Sequence, residues 1–342
     1  EVSVVSSSTV ATNNMSVSGV NARLSNLKSG NIGGINILGT NLLGGGAGDG
    51  DDLSKGLFDR VGVFVNAQGG FGDKQQTINE SGYGFQSGSL TIGADAALTD
   101  NFIVGLAFNY TSMQNTFNGN AGKLENNQYN GSIFSSVYMN DFYLDGIFTI
   151  GGTDFDSSRN VSYATNNSSF DKVAKGNTGA MQYLVSLDLG YNYQFKGFLI
   201  TPSVGFNYAK TFVDGYEESG AEIWNIGYQD QEIESALTNL GVSLSHSFST
   251  SFGVLTPQFH MDWMHEFSYH AQAQTVYFVA DKGLNNNFVM ISDSPDRDYM
   301  QVGVNLAAQF KHGLSAFASY DSIAARSNVS NHSFSVGIRW EI

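Results

Sequence analysis

Hydrophobic and polar residues alternate with a period of two along the chain from Asp59 to Ile342. In the final segment one face carries only large apolar residues, which are Phe334, Val336, Ile338, Trp340 and Ile342. The opposite face of that segment is made of Ser, Gly, Arg and Glu. Because side chains alternate across a strand, this pattern predicts β-strands with two chemically different faces.

Twelve segments with this alternation are predicted as strands, and they lie near residues 59–71, 85–98, 102–116, 124–139, 142–156, 177–194, 198–213, 233–248, 252–269, 297–310, 314–325 and 331–342. In 124–139 and 314–325 either face could be the apolar one. Short turns alternate with longer polar loops, which are predicted at 72–84, 157–176, 214–232 and 271–296. Alternating short turns and long loops are typical of outer-membrane barrels, whose short turns face the periplasm.

Three features favour a membrane barrel over a soluble sandwich. The segments run to about 12 to 18 residues, whereas strands of globular proteins usually have about five or six. Their polar faces are rich in Gly, Ser, Asn, Gln and Asp, which suits a small aqueous lumen. Aromatic residues lie near the strand ends, as in interface girdles: Phe102, Tyr110, Phe142, Tyr191, Tyr193, Tyr208, Phe310 and Trp340. The sequence therefore predicts an all-β fold, a closed twelve-stranded antiparallel transmembrane β-barrel.

Composition excludes several classes of function. The formal charge of −15, from 16 basic and 31 acidic residues, argues against a nucleic-acid partner. The absence of cysteine rules out disulfides and thiolate metal sites. Because the chain begins at Glu1 without a leader sequence, we expect a processed or partial chain.

The N-terminal region has a different pattern. Apolar residues recur at helical spacing between Asn14 and Gly30, at Val17, Val20, Leu24 and Leu27, with Arg23 and Lys28 among them. A glycine-rich joint is predicted after this helix, over 30–50. Two interpretations fit the pattern: a tail that frays in the periplasm, or a helix threaded through the lumen, which twelve strands would make wide enough.

Candidate chemistry is sparse. His260 and Asp262 are predicted to share the lumen face, whereas His265 falls on the opposite face, so this cluster indicates a hydrogen-bonded network rather than a metal site. No nucleophile elbow or phosphate-binding loop occurs. We therefore predict no catalytic residue, metal or cofactor. Four further residues are predicted to line the lumen: Asp95, Asp145, Asp188 and Arg339. The three acids are interpreted either as a polar track for a chain in transit, paired with Arg23 or Lys28 of the helix, or as part of a wet lumen with counter-charges such as Arg339.

These segments resemble the translocator β-domains of autotransporters, the single-chain secretion proteins of Gram-negative bacteria. Val20–Lys28 is similar to the linker helix of that family, and Phe85–Tyr110 resembles its early strands. Pro202–Glu218 with the following Ser219-Gly-Ala-Glu222, and Pro257 through Trp263-Met-His-Glu-Phe267, resemble two of its later motifs.

The resemblance implies a linker helix inside the lumen and a passenger N-terminal to it that reaches the cell surface. It also implies the outer membrane as location, contact with its lipid, and insertion by the β-barrel assembly machinery. We expect a monomer divided into residues 1–13 (passenger remnant or linker), 14–58 (linker helix and joint) and 59–342 (barrel).

Two points concern the ends of the chain. Family members usually end in an aromatic residue, whereas this chain ends Trp340-Glu-Ile342, and we expect assembly to survive because Ile342 is apolar. Some members cut themselves between two asparagines in the barrel, and Asn13-Asn14 is such a pair. Alignment on Arg23 and Leu27, however, places that site nearer Ser18-Gly19.

The predicted function is that of a translocator domain without enzymatic turnover, which carries an N-terminal passenger to the cell surface and anchors it. One alternative is a passive porin. Another is a barrel hydrolase with a site on the extracellular rim, for which the candidates are Asp230, Glu232, His270 and Asp281.

Overall fold

A computed structural model describes residues 2–28, 61–165, 168–284, 286–310 and 313–341. Within these ranges it contains one α-helix, α1 (Val2–Lys28), and a series of strands numbered in chain order. The strands are β1 (Val61–Lys74), β2 (Tyr83–Thr99), β3 (Phe102–Phe117), β4 (Gly122–Met139), β5 (Phe142–Thr165), β6 (Ser168–Tyr191), β7 (Tyr193–Phe195), β8 (Phe198–Val213), β9 (Tyr216–Glu217), β10 (Ile226–Tyr228), β11 (Gln231–His246), β12 (Phe248–Thr250), β13 (Gly253–Glu266), β14 (Ala273–Phe278), β15 (Phe288–Ile291), β16 (Asp298–Phe310), β17 (Leu314–Ala324) and β18 (Val329–Glu341).

Twelve of these strands form a closed antiparallel barrel. The ring runs β1-β2-β3-β4-β5-β6-β8-β11-β13-β16-β17-β18 and closes where β18 pairs with β1. At this seam Val63 lies opposite Trp340 on one side and opposite Ala94 on the other. β7 and β12 only extend two of the short turns. The predicted fold is confirmed, and each predicted barrel strand matches an observed one.

The two faces of the barrel wall differ as the alternation predicts. Apolar side chains point outward, as Ile338 does with 59% of its surface exposed, and these positions suit contact with lipid. The structure also resolves the two ambiguous strands. β4 points Ile133 outward and Asn130 into the barrel, and β17 points Phe317 and Asp321 inward and Leu314 outward.

The predicted loop at 157–176 is wrong, because β5 and β6 continue to Thr165 and Ser168 as a long hairpin. Residues 157–176 are mostly polar and do not alternate with apolar residues, so the sequence does not indicate strands there. The backbone groups nevertheless pair with each other across the hairpin. The loops at 214–230 and 267–297 also contain strands. They form a small four-stranded sheet at the long-loop end, in the order β15, β14, β10 and β9.

Helix α1 begins at Val2 and not within the predicted 14–30 segment. Residues 2–13 are rich in Ser and Thr, which favour helix interiors weakly because their hydroxyls compete for the backbone. Here those hydroxyls bond back onto the helix itself, as when Thr9 Oγ1 donates to Val5 O at 2.7 Å and Thr12 Oγ1 donates to Ser8 O at 3.0 Å. Such back-bonding satisfies the buried hydroxyls of this segment within the helix.

The helix runs through the lumen in a defined direction. Val4 and Val5 pack in a cluster with Tyr83 and Phe117, at the long-loop ends of β2 and β3. Leu24 packs with Ile103, beside the short turn between these strands. Because short turns of such barrels face the periplasm, the N-terminus of α1 lies at the extracellular end. The joint predicted over 30–50 lies outside the described residues. Among the described residues, no helix is long and apolar enough to span a membrane.

Candidate functional site in the barrel lumen

A buried ion pair between Arg23 and Asp95 joins the helix to the barrel. Arg23 Nε donates to Asp95 Oδ2 at 2.6 Å and Arg23 Nη2 donates to Oδ1 at 2.8 Å. Both side chains are buried, with 2% and 3% of their surfaces exposed. Arg339 of β18 also reaches this carboxylate, with Nη2 at 3.3 Å from Oδ1. Losing one partner of a buried pair costs about 3–5 kcal/mol, so this contact resists sliding of the helix along the lumen.

At Gly19 the backbone of α1 approaches the wall closely. A Cβ atom there would lie 2.1 Å from Thr91 Oγ1, and Thr91 is fully buried. Gly19 O accepts a hydrogen bond from Asn66 Nδ2 at 2.6 Å. Sequence reasoning missed this role. The available signal was a glycine inside a helix, where it costs roughly 1 kcal/mol relative to alanine and so needs a reason.

The apolar helix residues predicted from spacing lie on the packed side of the lumen. Val17, Val20 and Leu24 form one buried cluster with wall residues that include Phe64 and Phe134. For Leu27 and Lys28 the structure describes the backbone within α1 only, so their predicted side-chain roles lie outside the described residues.

The Asn13-Asn14 pair lies in the middle of α1. Asn13 is buried; its Nδ2 donates to Thr211 Oγ1 at 3.2 Å and its Oδ1 accepts from Gln128 Nε2 at 2.7 Å. Asn14 is exposed to the lumen cavity. Both polar atoms of the Asn13 amide are therefore engaged by neutral side chains.

Beside the helix the lumen stays open. A cavity of about 910 Å³ extends from the Asp293–Asp296 segment at the long-loop end to Thr201 and Ser245 near the short turns. The predicted lumen residues Asp145, Asp188, His260 and Asp262 line this cavity. The strands opposite the wall on which α1 packs bound much of this region, and Asp145 of β5 lines it as well.

Polar residues of the open region hydrogen-bond to side chains on nearby strands. His260 Nε2 lies 2.9 Å from Asp321 Oδ1. Ser136 Oγ donates to Asp145 Oδ1 at 2.5 Å, and Tyr143 Oη donates to Asp188 Oδ1 at 2.7 Å.

His265 lies outside the lumen face, with Nδ1 at 2.8 Å from Asp298 Oδ1. In the described part of the chain, no group of three or more His, Asp or Glu side chains is arranged to hold a metal.

The four rim candidates are not brought together. Asp230 Oδ1 accepts from Gly215 N at 2.7 Å, and Glu232 Oε2 lies 2.9 Å from Lys210 Nζ. His270 packs against the neighbouring ring of Tyr269, and Asp281 ends a short 3-10 helix. Each therefore has its own local structural contact.

Two contacts hold the extracellular loops over the barrel, and sequence reasoning did not single them out. Glu218 is buried and accepts from Arg159 Nη2 at 2.5 Å and from Ile226 N at 2.8 Å. Asp293 accepts from Thr77 Oγ1 at 2.5 Å and from Asn79 Nδ2 at 2.7 Å, which ties the 267–297 loop to the β1–β2 loop. The Thr77 hydroxyl, together with Asn79, holds the pKa of the Asp293 carboxyl below its usual value.

Comparisons with known proteins agree with this architecture. The sequence profile of the family described as Autotransporter beta-domain matches residues 63–321. The esterase EstA of Pseudomonas aeruginosa is 22% identical over 254 residues, which cover 73% of this chain and 38% of the esterase. The first curated relatives are matched over only 26% to 38% of their own lengths. The chain therefore spans well under half of these relatives.

Two solved structures are also similar. The translocator domain of the autotransporter NalP from Neisseria meningitidis superposes with a TM-score of 0.69 at 16% identity, over 99% of both chains. The β-domain of the Bordetella autotransporter BrkA superposes with a TM-score of 0.57 at 15% identity, over 83% of this chain and all of that one. At such identities the likeness shows the fold. The family match covers most of the barrel, and the chain therefore belongs to the autotransporter beta-domain family and is a translocator barrel of the Gram-negative outer membrane.

Proposed function

We propose that this barrel exports its own N-terminal passenger and then holds it at the cell surface through α1. The observation that carries the proposal is the direction of the helix, whose N-terminus lies at the extracellular end of the lumen. A passenger joined to that end would stand outside the cell, and the Arg23–Asp95 pair would resist its withdrawal. We further propose that residues 1–13 work with 14–28 as one anchoring helix, since α1 is continuous across this boundary.

The passenger is proposed to stay attached at Asn13-Asn14. Cleavage between two asparagines requires the side-chain nitrogen of the first to attack its own backbone carbonyl. The Asn13 Nδ2 atom instead donates to Thr211, and neither of its side-chain partners is a base. Mass spectrometry of the barrel extracted from outer membranes tests this point, because a chain that begins at Asn14 would contradict it.

The barrel is proposed to carry no catalytic activity of its own. Three of the four rim candidates, Asp230, Glu232 and His270, have separate local partners, and the similarity to the esterase covers only 38% of that protein. A purified, folded chain should therefore not accelerate hydrolysis of p-nitrophenyl esters. Turnover above that of a heat-unfolded control would favour the hydrolase alternative.

The proposed partners besides the passenger are lipid and the β-barrel assembly machinery. The outward face of β18 is apolar, with Phe334, Val336, Ile338 and Trp340 all exposed, and such a face suits lipid. We propose that the chain inserts as a monomer, since the barrel closes on itself through β1 and β18.

The deciding experiment fuses a signal peptide and a small folded reporter ahead of Glu1 and treats intact cells with protease. Heat-modifiable gel mobility shows whether the barrel has folded. Removal of the reporter from outside supports export. A folded barrel whose reporter stays protected in the periplasm would contradict it and favour the porin alternative, which conductance measurements then test.

A further inference from the structure

Two arginines share the carboxylate of Asp95. Arg23 from α1 holds both oxygens, and Arg339 from β18 reaches only Oδ1, at 3.3 Å. A second carboxylate, that of Glu341, lies 3.8 Å from Arg339 Nη1, beyond hydrogen-bond distance. Two buried cations therefore depend mainly on one anion when the helix is in the lumen.

Arg339 is incompletely paired in this helix-filled state. Its Nε atom is buried and has no hydrogen-bond acceptor among the described residues. A guanidinium presents parallel donors that fit a carboxylate in bidentate fashion. Arg23 makes that bidentate contact here, so Arg339 keeps a single long bond to an oxygen that Arg23 also uses.

The position of Arg339 makes its contact with Asp95 independent of the helix. β18 pairs with β1 and β1 pairs with β2, so Arg339 must cross β1 to reach Asp95. It crosses at Gly62, where a Cβ atom would lie 2.2 Å from Arg339 Nη2. Gly62 lies opposite Asp95 in the β1–β2 ladder and opposite Glu341 in the β1–β18 ladder. The Arg339–Asp95 contact thus spans the strands that close the barrel.

We propose that Arg339 is the partner of Asp95 while the barrel closes, and that it yields this carboxylate to Arg23 when α1 enters the lumen. In the first state the Nε and Nη2 donors of Arg339 bind Asp95. In the second state Arg23 takes the bidentate contact and leaves Arg339 Nε without an acceptor. Arg339 is therefore a positioning residue that neutralises the charge of the Asp95 carboxylate where β18 and β1 close the barrel. The inference concerns barrel closure and holds whether or not a passenger is exported.

The test is refolding of the purified 342-residue chain from urea into detergent micelles, followed by the heat-modifiable gel shift over time. Arg339→Gln should slow the shift about tenfold, the effect of losing one charge-assisted hydrogen bond in the rate-limiting step. Arg23→Gln should fold at the unchanged rate but lower the urea midpoint more than Arg339→Gln does. Arg326→Gln is the matched control. This substitution removes the same charge, but at the mouth of the barrel, where Arg326 stacks on Tyr299.

A second variant keeps the test decisive if Arg339→Gln fails to fold. The double variant Asp95→Asn with Arg339→Gln removes the uncompensated carboxylate, so it should refold faster than Arg339→Gln alone. Arg339→Lys should recover part of the rate. Any of three results would overturn the proposal. These are equal slowing of refolding by Arg23→Gln and Arg339→Gln, an unchanged refolding rate in Arg339→Gln, and a double variant that recovers none of the lost rate.

Discussion

The two sides of the lumen are built differently. On the side of β1 to β5 the wall packs against α1 with apolar and neutral polar side chains, and one of its buried carboxylates, Asp95, is bound by arginines. On the opposite side the wall faces an open cavity and carries Asp262 and Asp321 together with His260. The first side therefore holds the helix, whereas the carboxylates of the second side face the open cavity.

Removal of Asp95 should have the largest effect. Asp95→Ala leaves Arg23 and Arg339 buried without their shared anion, and we expect a loss of about 3–5 kcal/mol in the free energy of unfolding. The matched change on the open side, Asp321→Ala, should cost about 0–1 kcal/mol, because this carboxylate is partly exposed. Urea midpoints of the gel shift measure both variants, and equal losses would contradict the comparison.

A larger side chain at Gly19 should have the next effect. Gly19→Leu places atoms against Thr91 Oγ1, and overpacking of this kind costs about 1–3 kcal/mol. The control is Ala22→Leu, because Ala22 lines the cavity and has room for a larger side chain. Protease sensitivity of α1 in folded barrels reports the outcome. Adding Thr91→Gly to Gly19→Leu should restore protection, because it removes both the Oγ1 atom and the Cβ atom of Thr91, which would lie 2.9 Å from the new Cβ. Failure to restore protection would place the clash elsewhere.

Neutralisation of the open side should change ion flow rather than stability. Carboxylates along a cavity raise the local cation concentration. The double variant Asp188→Asn with Asp262→Asn should therefore lower the cation preference of the reconstituted barrel by roughly a factor of two to ten. Asp171→Asn, on the exposed hairpin arm, removes a charge outside the lumen and should leave the reversal potential unchanged. A similar shift of the reversal potential in both variants would show that the lumen charges do not set the cation preference.

Acidification should have the smallest effect, confined to the extracellular loops. The pKa of Asp293 is lowered in the folded chain by Thr77 and Asn79, so its stabilising contribution is present above the usual value of 3.8. It is lost as the pH falls through the lower folded pKa. Limited proteolysis of the 267–297 loop should rise over that acidic range. Asp293→Asn should remove the pH dependence, and an unchanged pH profile in this variant would assign it to another group.

Local patterns predicted the barrel well because strand alternation and turn length are local properties. The predicted segment 198–213 and the observed Phe198–Val213 coincide, since lipid and lumen impose opposite chemistry on neighbouring residues. The alternation of apolar and polar residues fails to predict strands in segments that contact neither the lipid nor the lumen. The hairpin extension of β5 and β6 and the sheet of β9, β10, β14 and β15 lie beyond the membrane, where pairing alone decides the structure.

For the lumen site the sequence identified individual side chains but not their partners. The sequence predicts Arg23 on the helix and Asp95 and Arg339 in the lumen wall. Pairing of a lumen acid with Arg23 belongs to the track interpretation, and Arg339 as a counter-charge belongs to the wet-lumen interpretation. The sequence separation of 72 residues between Arg23 and Asp95 and of 244 between Asp95 and Arg339 means that only barrel closure and helix position set these contacts.

The amino-acid sequence by itself determined the twelve strands, the inward and outward faces of all of them except β4 and β17, and the helical character of the segment around Val20. Each depends on periodicity between near neighbours. Only the tertiary structure decided that α1 extends back to Val2, that Gly19 touches Thr91, and that one carboxylate serves two arginines. These features depend on the space and the charges that remain inside a closed barrel, and no local stretch of sequence specifies them.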